Sequence, residues 1–304
     1  CIRDRDIDQI VALRQACMPH VVTTRELIEW QFFDHPAGSA RVYVIRSRED
    51  IVSMYTAVQQ NIRVGDTVRK GRMVQDVMTL PDYRSRGYLN QQGFRCWQDM
   101  TETGEIGYTF PNQHSEKSFR RTGWKELSRI PLRIFNVSQG IQKHSAHAYR
   151  MVEEFTSQAT DIWRQCSFPI GVHRDAAYLN WRYSKPNCVY SRFLIDNDKG
   201  VLVLKLFSDG SKCVAHICEL FVVDHHQSIV EDALLFSNEF ARKQNAGSLT
   251  CWLPDQHNYT RVYDTFGFKS ERLDRFVFVK PALPSDHMVT EYPWHFSQGD
   301  SDVY

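Results

Sequence analysis

Val77-Met-Thr79-Leu-Pro81-Asp-Tyr83-Arg84-Ser85-Arg86-Gly87-Tyr88-Leu89 reads as the end of a strand, a basic turn and the start of a helix. The apolar stretch Gly71–Leu80 is closed by Pro81, and a helical pattern runs from about Leu89 to Thr101. The N–H groups at such a helix start have no acceptor within the helix, and together with the helix dipole they attract anions. Gly87 has no Cβ, so a ligand phosphate can approach the backbone closely. Arg84 and Arg86 add positive charge at the same point. A pyrophosphate suits this combination, although a plain surface turn opening a helix has the same composition.

On the N-terminal side of this stretch, helices are expected over Asp4–Cys17 and Thr24–Phe33, followed by strands at Ala40–Arg46 and Ile51–Asn61. On the C-terminal side come a strand at Ile106–Phe110, a short helix at Ser115–Thr122 and a strand at Leu127–Val137. The order implies an α/β (α+β) domain with a mixed sheet of mostly antiparallel strands flanked by helices. Ser138–Ala148 is polar and reads as a linker. The expected organisation is a first domain over 1–137, a linker over 138–148 and a second domain over 149–304. The second stretch offers helices at Met151–Gln165 and Ala176–Tyr183, strands at Val189–Ile195, Gly200–Phe207 and Cys213–Val223, and a helix from about Ser228 to Gln244. A strand at Ser248–Leu253, a helix ending at Gly267 and a strand at Arg275–Val279 complete it.

The second stretch repeats the first. Tyr-Thr-Phe-Pro111-Asn-Gln-His-Ser precedes Gly123-Trp124, and Cys-Trp-Leu-Pro254-Asp-Gln-His-Asn precedes Gly267-Phe268. A tandem duplication accounts for both. The halves differ at the turn: where the first has Arg84–Tyr88, the second has Val223-Asp-His-His-Gln-Ser-Ile-Val230, without glycine or arginine. A phosphate ligand is therefore expected in the first half alone.

With 37 basic and 36 acidic residues the chain has no electrostatic footprint for nucleic acid. No apolar run is long enough to span a bilayer, so no membrane partner is expected. The eight cysteines form no C-x-x-C pair and sit mostly in apolar stretches, which reads as buried thiols of a cytoplasmic protein. The twelve histidines make no metal-ligand pattern, and no metal is expected.

Two motifs carry a resemblance. Arg84-Ser-Arg-Gly87-Tyr-Leu89 resembles the [Gln/Arg]-x-x-Gly-x-[Gly/Ala] signature of the GNAT acyltransferase superfamily, departing at Leu89. Asn112-Gln-His-Ser115-Glu-Lys-Ser-Phe119-Arg-Arg-Thr-Gly123-Trp124 resembles the second signature, with Ser115 for an Ala and Phe119 for a Tyr that protonates the leaving thiolate in many members. The resemblance implies tandem GNAT-like domains and an acetyl-CoA or other short acyl-CoA donor. It also implies direct attack by a primary amine, with the thioester near Val77, Met78 and Thr79. It would place the cofactor against Arg84, Ser85, Arg86, Gly87, Tyr88, Leu89, Asn112, Ser115 and Phe119. A non-enzymatic acyl-CoA binder is the alternative that Phe119 motivates.

His173-Arg-Asp-Ala-Ala-Tyr178-Leu-Asn-Trp181-Arg182-Tyr183 and the tail Trp294-His295-Phe-Ser-Gln-Gly-Asp300-Ser-Asp302 are similar to segments of tandem bacterial members of amino-sugar pathways. The acceptor implied is an amino sugar, free or nucleotide-linked, with aminoglycosides, peptides and amino acids as rivals. The residues expected to take the amine's proton are Asp76, Asp300 and His173. Tyr178, Trp181, Arg182, Trp294, His295 and Asp302 are expected to hold the acceptor, their rings stacking on a sugar and their carboxylate meeting an ammonium.

Overall fold

The computed structural model describes residues 4–137, 143–271, 276–283 and 285–301. In chain order they form α1 (Asp4–Cys17), α2 (Arg25–Phe32), β1 (Arg41–Ser47), β2 (Asp50–Val64), β3 (Thr67–Thr79), α3 (Tyr88–Glu102), β4 (Ile106–Thr109), α4 (Glu116–Arg121), β5 (Lys125–Arg129) and β6 (Leu132–Asn136). There follow β7 (Tyr149–Met151), α5 (Ser157–Gln165), β8 (Ile170–Val172), α6 (Ala176–Arg182), β9 (Tyr190–Ile195), β10 (Gly200–Ser208), β11 (Cys213–Val222), α7 (Gln227–Lys243), β12 (Ser248–Trp252) and α8 (Thr260–Phe266). The chain continues with β13 (Lys269–Glu271), β14 (Phe276–Lys280), α9 (His287–Glu291) and β15 (Trp294–His295).

The chain divides into two units, Cys1–Ser128 with Asp274–Tyr292, and Arg129–Leu273 with Pro293–Tyr304. In the first, β1, β2, β3, β4, β14 and β5 lie side by side. β3 and β4 run parallel, and the pairs β1–β2, β2–β3 and β4–β14 run antiparallel. In the second unit the order β9, β10, β11, β12, β6, β13 repeats that arrangement, again with one parallel pair at β11–β12, and β7 is added beside β9. A two-residue parallel pairing of β15 with β8 also belongs to this unit. The duplication read from Pro-x-Gln-His is thus present in the sheets.

The division differs from the boundary expected at 137/149. β6 was read as the last strand of the first half, yet it pairs with β12 and β13. β14 lies instead between β4 and β5. The single strand expected over Leu127–Val137 is two strands, broken at Ile130-Pro131, because proline has no N–H to give to a ladder. Of the expected linker, 138–142 lie outside the described residues, and 143–148 are held against α7. Asp232 accepts from the Ala146 N–H (2.6 Å), Glu239 from the Ser145 N–H (3.0 Å), and Lys143 pairs with Glu231. The β2–β3 hairpin also extends past the expected Asn61 and Gly71, because Arg63, Arg69 and Lys70 interrupt the apolar pattern that signalled it.

In the first unit α1 and α2 bury Ile7, Ile10, Leu13, Ile28 and Phe32 against Met54 and Met78 of the sheet. Thr24 caps α2, its Oγ1 accepting from the Leu27 N–H at 3.2 Å. A second cluster joins Cys96 and Met100 of α3 to Tyr55, Ala57 and Val74 of the sheet, and it includes Phe119, Trp124 and Phe278.

Candidate functional site

The site begins where β3 leaves β4. The parallel register runs from Gly71–Ile106 to Val74–Thr109 and stops there, with Thr109 Oγ1 donating to Val74 O at 2.8 Å. On the other side, Thr56 faces Gln75 and Met54 faces Met78, so Asp76 and Val77 share the single residue Tyr55 as cross-strand neighbour. This is a β-bulge, and Asp76 takes φ +49° to make it. From Gln75 to Thr79, therefore, the β4-facing edge of β3 is not engaged by β4.

The turn after this strand places two left-handed residues, Ser85 (φ +63°) and Gly87 (φ +77°), ahead of α3. No side chain caps the helix. Its first internal bond runs from the Gln91 N–H to Gly87 O (3.1 Å), so the N–H groups of Tyr88, Leu89 and Asn90 lack helical acceptors. A Cβ on Gly87 would meet nothing within 4 Å. Arg84 is exposed and its Nε donates to Thr79 O (3.2 Å), which anchors the guanidinium at the strand end. Arg86 is exposed too, donating to Asp82 O and lying over the Tyr83 ring at 4.9 Å. These groups fit a pyrophosphate: uncapped N–H donors, approachable backbone at Gly87 and two cations beside it. Tyr88 and Leu89 are half-buried, Leu89 standing where the family has Gly or Ala.

Asn112, Ser115 and Phe119 turn out otherwise than expected. The Asn112 side-chain oxygen accepts from the His114 and Ser115 N–H groups (3.0 and 3.1 Å), and Ser115 Oγ lies 3.3 Å from it. Both residues shape the start of α4. Phe119 is buried against Tyr55 and Trp124, its ring edge-on to the indole at 5.5 Å. The aromatic at this position is core, and it carries no hydroxyl.

The Asp76 carboxylate is buried and lies 3.4 Å from Arg14 of α1, which also donates to Gln31 of α2 (2.9 Å). Arg14 and Gln31 had not been singled out from the sequence. Nor had Ser53 and Gln92, whose buried side chains bond to Thr79 Oγ1 and to each other. The signal was present for Gln92, a polar residue in the apolar stripe Leu89–Gly93–Cys96–Met100 of α3.

The second-unit candidates are interior. Arg174, fully buried, is paired with Asp300 (2.6 Å) and Glu219 (3.1 Å) and donates to Val172 O. Burial opposes the Arg174 charge, but Asp300 and Glu219 outweigh it and hold the guanidinium protonated. Burial pushes the Asp300 carboxyl up, against the pull of Arg174. Asp300 is thus an ion-pair partner, not an accessible base. Arg182 donates to the carbonyls of Gly299 and Ser301. Tyr178 is buried and Trp181 half-buried, their rings 5.8 Å apart. Trp294 is buried in a stack with Phe296.

His173 Nδ1 accepts from the Trp163 indole N–H (3.2 Å), which leaves the ring proton on Nε2 and removes the lone pair a base would use there. His257 accepts at Nδ1 from the Tyr259 N–H and so donates through Nε2 to His295 Nδ1 (2.8 Å). His295 in turn donates to Glu219 Oε1 (3.4 Å). Burial holds both imidazoles well below their ordinary value, hence neutral. The tail residues expected to hold an acceptor therefore pack the second unit, and Asp302 lies outside the described residues.

A bulged, splayed strand feeding an uncapped helix is the frame on which these groups are set. Residues 2–127 match the Acetyltransferase (GNAT) domain family. The match covers the first part of the chain, and the fold of the chain as a whole is similar to that of tandem GNAT proteins. A GCN5-related N-acetyltransferase from Anabaena variabilis is similar with TM-score 0.72 at 12% identity, covering 92% of this chain and 71% of that one. Eis1 from Mycobacterium abscessus is similar with TM-score 0.63 at 10% identity, covering 93% and 72%. A tandem GNAT protein from the clavulanic acid biosynthesis pathway is similar with TM-score 0.58 at 13% identity, covering 93% and 97%. No curated protein matches the chain by sequence. Among the described residues no helix is long and apolar enough to cross a membrane.

Proposed function

We propose that the chain transfers a short acyl group, acetyl foremost, from its CoA thioester to a primary amine of a small molecule, with both substrates bound together and the first unit holding the donor. The observation that carries this is the continuity of bulge and helix start. Gln75–Thr79 leave β4, and eight residues after Thr79 the uncapped α3 begins at Gly87 with Arg84 and Arg86 beside it. The pyrophosphate would lie at the helix start, with the thioester beside the bulge. There a strand N–H can receive the carbonyl oxygen as negative charge develops.

Asp76, on the bulge itself, is the acid we assign to the amine: its carboxylate would hold the ammonium and receive the proton on attack. An amino sugar heads the acceptor panel on the strength of the resemblance over His173–Tyr183. Tyr178, Arg182, Trp294 and His295, expected to hold that sugar, are buried within the second unit, as is the expected proton acceptor Asp300. The thiolate is protonated by solvent, since Phe119 has no hydroxyl to give. Thiol release from acetyl-CoA, measured with amino sugars, aminoglycosides, amino acids and peptides, tests the reading. Turnover with one class and none without amine supports it. CoA binding without turnover on any amine leaves an acyl-CoA-binding module instead.

A further inference from the structure

The donor site has two parts, one for the pyrophosphate on α3 and one for the thioester on β3. Something must fix the distance and angle between them. Gln92 lies one helical turn beyond Tyr88 on the buried face of α3. Its Nε2 donates to Tyr43 O on β1 at 2.8 Å, which orients the amide and turns Oε1 toward Ser53. Ser53 Oγ lies 2.9 Å from that oxygen, 3.1 Å from Met78 O and 2.8 Å from Thr79 Oγ1. A hydroxyl has one proton to give. Gln92 Oε1 can only accept, so Ser53 donates to it, and Thr79, whose hydroxyl can give as well as take, donates to Ser53. Ser53 and Thr79 also face each other across the β2–β3 register, and Thr79 O accepts from Arg84 Nε.

A chain of hydrogen bonds therefore runs from Arg84 of the turn, through Thr79 at the end of the splayed strand and Ser53 of β2, to Gln92 of the helix and back to β1. Ser53, Gln92 and Thr79 are all buried, where a satisfied polar network specifies one arrangement and a broken one leaves groups unpaired. In the second unit, which lacks the basic turn, the first turns of α7 pack on its sheet with Ile229 and Val230 instead.

We infer that Gln92, through Ser53 and Thr79, is a positioning residue that sets the register between the pyrophosphate subsite and the thioester subsite. The inference rests on the acyl-CoA reading above. A residue that only aligns two subsites leaves each one's own affinity intact and removes the advantage of binding both ends at once, which is an effective-concentration effect.

The test uses three probes on the full chain: CoA, adenosine 3′,5′-bisphosphate and pantetheine. Gln92→Met keeps the length of the side chain and removes both hydrogen bonds. Binding of the two fragments should change less than about twofold, while CoA weakens by about tenfold or more and the KM for acetyl-CoA rises more than kcat falls. Ser53→Ala, a smaller cut in the same network, should give the same pattern at lower amplitude and serves if Gln92→Met does not fold. Gln92→Glu, which can still accept from Ser53, should recover part of the CoA affinity. Fragments weakening in step with CoA, or CoA affinity unchanged in both the Met and Ala variants, would overturn the inference. Failure of the parent chain to bind CoA at all would instead overturn the acyl-CoA reading itself.

Discussion

Gly87 offers a perturbation whose effects on stability and on ligand separate cleanly. Gly87→Ala meets no neighbour, since nothing lies within 4 Å of the added Cβ, so the folded state loses only conformational freedom at φ +77°. A non-glycine residue in the left-handed region costs about 1–2 kcal/mol. For a unit of this size that is a melting shift of roughly 2–4 °C per kcal/mol. The ligand should suffer more. A methyl group in front of the α3 N–H donors pushes a phosphate away from at least one charge-assisted bond, worth roughly 1.5–3 kcal/mol. At 1.4 kcal/mol per decade, the Kd for CoA should rise by about ten- to a hundredfold.

Ser85 is the internal control. It is also left-handed, at φ +63°, but its side chain precedes the helix start. Ser85→Gly should stabilise the fold by about 1 kcal/mol through relief of strain, which calibrates the strain part of the Gly87→Ala effect. Calorimetric titration with CoA and thermal melts of the three proteins read both quantities. Titration of the parent should give one CoA per chain. If Gly87→Ala melts lower yet binds CoA as the parent does, the phosphates do not lie on this helix start and the placement of the site is wrong.

Asn112→Ala removes the acceptor of two N–H groups at the start of α4, so about 1 kcal/mol of stability should be lost. The KM for acetyl-CoA should stay unchanged in initial-rate assays, where a direct pantetheine contact would raise it. Asp300→Asn strips Arg174 of its shorter ion pair, at 2.6 Å, and leaves a buried guanidinium under-compensated. The expected loss is about 3–5 kcal/mol, read as a depressed melting temperature; a melt equal to the parent would refute the structural role. Acid should unfold the chain early. Burial holds His35 and His216 at about 4 and His257 and His295 well below 6.5. Below pH 6.5 the unfolded chain binds more protons than the folded one, so stability is intact above that pH and is lost as pH falls toward 4. For His35 alone this amounts to roughly 3 kcal/mol by pH 4. Melts from pH 7.5 to 4.5 check it, with His35→Gln flattening the curve.

The form of the turn before α3 was legible because its physics is local: a strand end, a glycine and a helix start are written in consecutive residues. Much of the element order was legible for the same reason, from apolar period and from Pro111 and Pro254. The bulge was not, since a register shift at Asp76 depends on which residues of β2 lie opposite. Asn112 was read as a ligand contact because motif spacing does not show that its oxygen is already committed to two backbone N–H groups. The tail misled through composition. Trp294, Phe296 and Asp300 have the rings and carboxylate of a sugar site, but Arg174 and Arg182 upstream supply the partners that make the same residues an interior.

That interior sets the two units apart. In the second unit the parallel pairing of β11 with β12 ends at His216–Thr250, and the register with β10 skips Cys218, so strand splay and bulge are both retained. The splay is filled by the chain itself. Gln298 donates to Thr250 Oγ1, and Gly299 lies so close to Cys218 O and the Tyr183 hydroxyl that a Cβ there would stand 3.1 Å and 2.3 Å from them. Only glycine passes at that point. Arg174 and Arg182 then fasten the segment by its side chain and its carbonyls. The second unit has no basic turn before α7, and residues 297–301 are buried, supplying hydrogen bonds and packing across the gap between β11 and β12.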